Sequence, residues 1–207
     1  MVSPLRRVGS GKVARLALAE VPAIDDASLV AKALGGDSWA EEALIKRHVA
    51  ELARVVGRLL GSKSEAEDVV QDTLVRALEE LPHLREPALF RGWLIRIGVN
   101  QARAFLRRRR LGTFLGLHPG PRELSLEQLA ASSLSPESRA ELALLDSLLA
   151  RIPVEERIAW MLRQVEGYPL AEVAQSCGCS LATAKRRVTA ATVKIRKVIN
   201  LGEVENE

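Results

Sequence analysis

Apolar residues recur at intervals of three and four along most of the chain, which is the spacing of one face of an α-helix. One apolar stripe runs from Ala66 to Leu78, and another runs from Ala184 to Val198. Runs that alternate apolar and polar residues, as half-buried strands do, are not found in the sequence. The pattern therefore predicts an all-α fold.

Helix-breaking residues divide this helical pattern into parts. Residues 25–110 and 136–200 contain few breakers, whereas the segment 111–135 between them is rich in Gly, Pro and Ser. This distribution predicts two small helical domains joined by a flexible linker. We expect residues 1–24 to form a disordered basic extension and residues 201–207 to form a short tail.

The helix that carries the first stripe has a polar side opposite its apolar side. Ser64 and Glu67 have the spacing of a capping box, which predicts that the helix begins after Ser64. The polar side presents Asp68, Gln71, Asp72 and Val75. From the pattern alone, this side is either a solvated surface or a protein interface.

The next helix, predicted at residues 90–110, carries a polar row with spacings of four, three, four and three. The row consists of Arg96, Asn100, Arg103, Arg107 and Arg110. Because apolar residues fill the other side, we expect the row to be exposed, where arginines at this pitch can reach successive phosphates of a nucleic acid. The alternative is a basic last turn that complements the helix dipole, which leaves Arg96 and Arg103 unexplained.

The C-terminal part has the pattern of a helix-turn-helix. A short helix is predicted at residues 169–177, Gly178 supplies a left-handed turn, and Ser180 caps a second helix. The second helix offers side chains to base edges and phosphates of a major groove: Ser180, Thr183, Lys185, Arg186 and Arg187. The alternative is an ordinary helical hairpin with a solvated basic face.

Charge and composition narrow the class of function. The net charge of +4 and the pI near 9.4, with clustered arginines, favour nucleic acid as the partner. The three histidines are scattered, and neither a glycine-rich phosphate loop nor a nucleophile constellation is found, so we expect no enzyme activity and no cofactor. Cys177 and Cys179 are too few for a zinc site and are predicted to be small core residues, with no metal bound.

The sequence also predicts where the protein works. No apolar run is long enough to cross a bilayer, so we expect no membrane insertion. Arg6 and Arg7 precede a weakly apolar stretch, but Lys12, Arg15 and Glu20 interrupt it. This does not fit an export signal, and we expect a cytoplasmic protein.

The ordered motifs of the two domains resemble those of the extracytoplasmic-function (ECF) sigma factors. Residues 66–73 and 90–97, followed by Asn100, are similar to conserved region two of that family. Residues 152–167 and 172–187 are similar to region four, so the resemblance covers about residues 25–199. It implies a transcription initiation factor that binds core RNA polymerase and directs it to promoter DNA.

The resemblance also implies roles for individual residues. In the family, the helix matching Asp68, Gln71 and Asp72 docks on the clamp of the large polymerase subunit, and Val75 lies on the same face. The loop that melts the promoter and captures a flipped base corresponds to residues 85–89, here Arg85, Glu86, Pro87 and Ala88 before Leu89. Arg96, Asn100, Arg103 and Arg107 would approach the start-proximal DNA, and the region-four helix would read the upstream element. An anti-sigma factor is an expected partner.

A stand-alone helix-turn-helix regulator is the competing hypothesis. This hypothesis accounts for the C-terminal domain, but it does not explain the function of the acidic helix or of the arginine row. Such a regulator usually dimerises to span paired half-sites, and no sustained heptad repeat is present to support a dimer.

Overall fold

The computed structural model of the chain describes residues 24–115, 135, 148, 149 and 151–204. Within these residues the chain forms seven α-helices and two 3-10 turns and contains no strand, which confirms the all-α prediction. The helices are α1 (Asp26–Leu34), α2 (Ser38–Leu60), α3 (Lys63–Glu80), α4 (Phe90–Phe114), α5 (Val154–Gln164), α6 (Leu170–Cys177) and α7 (Leu181–Val204). The 3-10 turns are Leu81–His83 and Pro87–Leu89. The predicted N-terminal extension and most of the predicted linker lie outside the described residues.

The start of α3 differs from the capping-box prediction. The N-cap is Ser62, two residues before the predicted Ser64, and its side chain makes no capping hydrogen bond. Gly61 ends α2 in a left-handed conformation with φ 70°, which only glycine adopts readily. The chain passes from this turn directly into the next helix, so α3 begins earlier than Ser64 and Glu67 indicated.

Two helices are longer than predicted. Helix α4 continues past Arg110 to Phe114, and the amide of Leu115 still donates to the carbonyl of Leu111 at 2.9 Å. A single interior glycine costs a helix only about 1 kcal/mol, so Gly112 does not end it. The segment predicted as linker therefore begins inside a helix. Helix α7 likewise extends through Val204, into the segment predicted as a tail.

The N-terminal domain is a bundle in which α2 packs against α3 and α4. Its core contains Leu52, Val56 and Val70, each at most 1% exposed. Helices α2 and α4 approach closely at Gly98, where an added Cβ would lie 2.5 Å from Cδ1 of Leu52. Glycine permits this close approach, because a side chain at position 98 would overlap the buried Leu52 unless that leucine shifted.

The C-terminal domain is built by α5, α6 and α7, which pack against one another around Ile158, Met161 and Leu162. Cys177 is buried at 4% exposure and Cys179 packs partly buried against the core. Both thiols are free. The prediction that they serve as small core residues agrees with this placement.

The two domains lie against each other in the structure. Helix α4 packs on α6 and α5, and α2 also contacts α5. The buried side chain of Arg157 in α5 donates from Nη2 to the carbonyl of Leu59 in α2 at 2.7 Å, which joins the domains through a main-chain acceptor. This packing decides which of the predicted functional residues are accessible.

Candidate polymerase and nucleic-acid interfaces

The acidic side of α3 is open. Asp68, Asp72 and Val75 are exposed, and Gln71 is partly exposed. Val75 is an apolar side chain with 44% of its surface accessible, although the opposite side of the helix is buried in the core. Two carboxylates and an exposed valine thus lie on the same accessible side of α3.

The segment predicted to melt the promoter is held at one end by the core. Arg85, Glu86 and Ala88 are exposed, and Pro87 opens the 3-10 turn that leads into α4. This turn packs against α1. Phe90 follows it, is 4% exposed, and fixes the start of α4 in the bundle.

His48 packs against Phe90 at the start of α4. The ring of His48 lies 5.5 Å from that of Phe90, and its Nε2 is 2.8 Å from Oδ2 of Asp26. Burial lowers the pKa of His48, and the nearby carboxylate offsets only part of the effect. The imidazole of His48 packs as part of the core beside Phe90.

The polar row on α4 is not uniformly exposed. Arg96 and Asn100 face solvent and Arg107 has a side chain 63% accessible, as predicted. The prediction is wrong for Arg103, whose side chain is only 15% accessible. The reason is tertiary: the C-terminal domain lies over this part of α4 and covers a residue that helical periodicity placed outside.

One carboxylate at the domain boundary gathers three arginines. Oε1 of Glu155, in the first turn of α5, accepts a hydrogen bond from Nη2 of Arg107 at 2.5 Å. Its Oε2 lies 3.2 Å from Nε of Arg103 and 3.4 Å from Nη1 of Arg187. Arg103 also donates to Oδ1 of Asn100 at 2.6 Å and to the carbonyl of Cys177 at 3.0 Å. We call Arg103, Arg107, Arg187 and Glu155 the Glu155 cluster.

A second group of polar contacts joins α2 and α4 to the start of α6. Glu51 accepts two hydrogen bonds from Arg91, at 2.8 and 2.6 Å, and a third from the hydroxyl of Tyr168 at 2.7 Å. Arg91 also donates to Glu172 at 3.3 Å. Burial raises the pKa of Glu51, but the hydrogen bonds from Arg91 and Tyr168 outweigh it and leave the pKa below its ordinary value.

The pKa values of the two partners of Glu51 shift in the opposite direction. The hydrogen bond to Glu51 raises the pKa of Arg91, and burial together with the same carboxylate raises the pKa of Tyr168. A third contact lies nearby, where Glu166, whose side chain is 2% accessible, pairs with Arg54 and with Arg58. The helical pattern contained no signal for these contacts, because their members lie far apart in the sequence.

The helix-turn-helix has the predicted local geometry. Gly178 has φ 62° and ends α6, and Oγ of Ser180 accepts from the amide of Thr183 at 3.2 Å. Lys185 and Arg186 at the start of α7 are exposed, whereas Thr183 and Arg187 are partly covered. The N-terminal end of α7 thus presents polar and basic side chains outward, and Arg187 turns toward Glu155.

The described residues show neither a metal centre nor a membrane span. No group of three or more His, Cys, Asp or Glu side chains with metal-binding geometry occurs among them. None of their helices is both long and apolar enough to cross a bilayer.

These features define a two-domain helical protein with a helix-turn-helix and an exposed acidic face on α3, and comparisons with known proteins identify its family. Residues 44–111 match Sigma-70 region 2, and residues 142–195 match Sigma-70 region 4. RNA polymerase sigma factor NccH of Alcaligenes xylosoxydans xylosoxydans is 30% identical over 187 residues, which cover 88% of this chain and 98% of NccH. ECF RNA polymerase sigma factor SigM of Mycobacterium tuberculosis is 28% identical and covers 84% of each chain.

A solved structure of CnrH in complex with the cytosolic domain of CnrY has a TM-score of 0.61 and 26% identity, and the match covers 85% of this chain and 97% of CnrH. The chain belongs to the ECF sigma factors of RNA polymerase. As a member of that family, it directs core RNA polymerase to promoter DNA.

Proposed function

We propose that the N-terminal domain holds core polymerase through the exposed side of α3. Asp68, Gln71, Asp72 and Val75 would contact the clamp of the large subunit. The observation that carries this proposal is that two carboxylates and an apolar side chain remain exposed on a helix whose other face is fully used in the core. An uncovered valine beside charges fits a surface that is buried on assembly.

The same domain would open the promoter. Arg85, Glu86, Pro87 and Ala88 form an outward-facing segment anchored by Phe90, and this segment would hold the base that leaves the stack. The row Arg96, Asn100, Arg103 and Arg107 would follow the sugar-phosphate backbone of the start-proximal element.

The C-terminal domain would read the upstream element as duplex. Ser180, Thr183, Lys185, Arg186 and Arg187 lie at the N-terminal end of α7, which is the end that a helix-turn-helix places against base edges. We propose the two domains expected from the sequence, at 25–110 and 136–200. The first domain is extended to Phe114, because α4 ends there.

The family and the solved complex support proposals about a further partner and about the cellular location. CnrH is bound there to the cytosolic domain of another protein, and we propose that an anti-sigma factor binds this chain in a comparable way. We propose a cytoplasmic protein that joins the nucleoid with polymerase. RNA synthesis is the chemistry of polymerase, and we propose no catalytic role and no cofactor for this chain.

The experiment that tests the proposed function is run-off transcription with purified chain and core polymerase on a library of genomic templates. Promoter-specific transcripts, and a shared upstream and start-proximal motif in the sequenced products, are the expected result. Failure to associate with core polymerase would refute the proposal and favour a stand-alone DNA-binding regulator.

Matched variants separate the two interfaces. Asp72→Asn should weaken binding to core polymerase, while Glu42→Gln, an equal charge change at an exposed residue of α2 paired with Lys46, should not. Arg186→Ala should weaken binding to the upstream element by about 1–3 kcal/mol relative to unrelated duplex if the side chain reads a base. Arg196→Ala, farther along α7 and also exposed, should not change this ratio.

A further inference from the structure

The Glu155 cluster joins residues that the proposed function gives to different parts of the promoter. Arg103 and Arg107 belong to the start-proximal row on α4, and Arg187 belongs to the upstream-reading helix α7. In the structure all three surround one carboxylate at the boundary between the domains. A chain arranged in this way cannot present Arg103 to DNA, because the α5–α7 domain covers it.

The cluster is not balanced in charge or in hydrogen bonding. One carboxylate faces three guanidinium groups, so the site keeps an excess of positive charge. Nε of Arg103 and Nη1 of Arg187 are buried and have no hydrogen-bond partner among the described residues. Both atoms lie within 3.4 Å of Oε2 of Glu155, but without the alignment that a hydrogen bond needs.

Buried donors that lack a hydrogen bond, together with the excess positive charge, indicate a site suited to a larger anion. A phosphate offers more acceptor oxygens than a carboxylate and pairs well with guanidinium groups. We propose that Glu155 stands in for a DNA phosphate in the free protein: it occupies Arg103, Arg107 and Arg187 and holds the domains together until backbone phosphates displace it. This inference rests on the proposed role of the three arginines in DNA binding.

Competition of this kind lowers the apparent affinity of the free chain for DNA. Only the open fraction of molecules can offer Arg103, so the apparent dissociation constant for DNA binding that needs Arg103 rises by the inverse of that fraction. The polar contacts of Glu51 with Tyr168 and of Glu166 with Arg58 support the same closed arrangement. Glu155 differs from them because it takes up the DNA-binding groups themselves.

The adjacent residue provides a matched control. Glu156 lies beside Glu155 in the first turn of α5, but it pairs with Lys194 of α7, at 2.6 Å, within the C-terminal domain. Glu155→Gln and Glu156→Gln remove the same charge from neighbouring positions. Any general electrostatic gain in DNA affinity is therefore common to both variants.

The test is the affinity of the full-length chain, without polymerase, for a fluorescent duplex of arbitrary sequence, measured by anisotropy. Glu155→Gln should bind roughly five- to tenfold more tightly than the wild type, the lower part of the usual range for coupled equilibria. Glu156→Gln should stay within about twofold of it. Equal affinities for the two variants, or weaker binding by Glu155→Gln, would overturn the proposal.

A second perturbation opens the boundary without touching a charge. A Cβ added to Gly92 of α4 would meet the side chain of Gln175 of α6 at 3.6 Å, an ordinary contact. Gly92→Ala should therefore leave the domains together, whereas Gly92→Phe should wedge them apart and increase the radius of gyration in small-angle X-ray scattering. If Gly92→Phe expands the protein, it should also tighten DNA binding relative to Gly92→Ala, and expansion without tighter binding would overturn the proposal.

Failure of this inference can be distinguished from failure of the proposed function. Run-off transcription by the wild type tests the sigma function and does not depend on Glu155. Suppose that the wild type directs promoter-specific transcription but Glu155→Gln binds DNA no better than Glu156→Gln. That result would refute the proposed competition by Glu155 and leave the sigma function supported.

Discussion

Replacing Tyr168 by phenylalanine isolates one polar contact between the two domains. The tyrosine is 6% exposed, and its hydroxyl donates to Oε1 of Glu51 across the boundary at 2.7 Å. Phenylalanine keeps the ring that packs under Arg91, whose guanidinium carbon lies 5.4 Å from the ring centroid. The carbonyl of residue 168 still accepts from Arg163. The substitution therefore removes a single donor and leaves the packing in place.

The structure sets the size of the expected loss. A hydrogen bond to a charged group contributes about 1.5–3 kcal/mol. The carboxylate of Glu51 keeps two hydrogen bonds from Arg91 after the substitution, so it is not left without a partner. We therefore expect the lower end of the range, about 1.5 kcal/mol of unfolding free energy.

The assay is urea unfolding followed by far-UV circular dichroism, arranged as a double-mutant cycle. Tyr168→Phe, Glu51→Ala and the double variant are compared with the wild type at pH 7. The cavity left by alanine cancels in the cycle, and the coupling free energy reports the contact itself. A coupling below about 0.5 kcal/mol, the usual limit of additivity for independent sites, would refute the argument that this hydrogen bond joins the domains.

The same contact predicts a dependence on pH. The pKa of Glu51 lies below its ordinary value of 4.5 in the folded protein, so its stabilising contribution is complete above that value and is lost as the pH falls through the lower, folded-state pKa. Tyr168→Phe makes the lowering smaller. The stability difference between wild type and variant should therefore shrink as the pH falls below about 4.5, and a difference that grew in acid would contradict the assignment.

Three further predictions concern the fold. Gly98→Ala should lower the urea midpoint, because overlap with the buried Leu52 costs about 1–3 kcal/mol against a helix-propensity gain of about 1 kcal/mol, and a raised midpoint would show that the leucine can move aside. Ser180→Ala should cost about 1 kcal/mol in thermal unfolding through loss of the N-cap, and Ser180→Asp should retain most of it. Burial raises the pKa of Cys177 to about 11, so iodoacetamide at pH 8 should alkylate Cys179 first, as followed by mass spectrometry; equal rates would contradict the burial of Cys177.

Local features of the fold could be predicted from the sequence because they depend on neighbouring residues. Gly178 and Ser180 adopt the expected turn and cap, since one needs a left-handed backbone and the other needs a short side-chain acceptor. The same local rules misplaced the start of α3 and the end of α4. At both points, several residues in a row are compatible with helix and the pattern contains no decisive stop.

The accessibility of the candidate site could not be predicted in the same way. Arg96 and Arg103 occupy equivalent positions in the helical row, yet Arg96 is exposed and Arg103 is covered. The difference arises from the C-terminal domain, which covers Arg103 and whose Glu155 lies 52 residues after it in the sequence. Helical periodicity describes one helix at a time, and it contains no information about which domain will lie over it.

The open side of α3 and the covered Arg103 have a consequence for how the protein is distributed in a cell. Chromosomal DNA offers on the order of 10⁶–10⁹ nonspecific sites, enough to absorb a weakly basic protein with freely displayed arginines. Asp68 and Asp72 stay accessible while Arg103 is covered. With the interfaces proposed above, the chain would therefore meet polymerase before Arg103 engages DNA. Fewer copies would then be held at nonspecific sites of the genome, and more would be available to core polymerase.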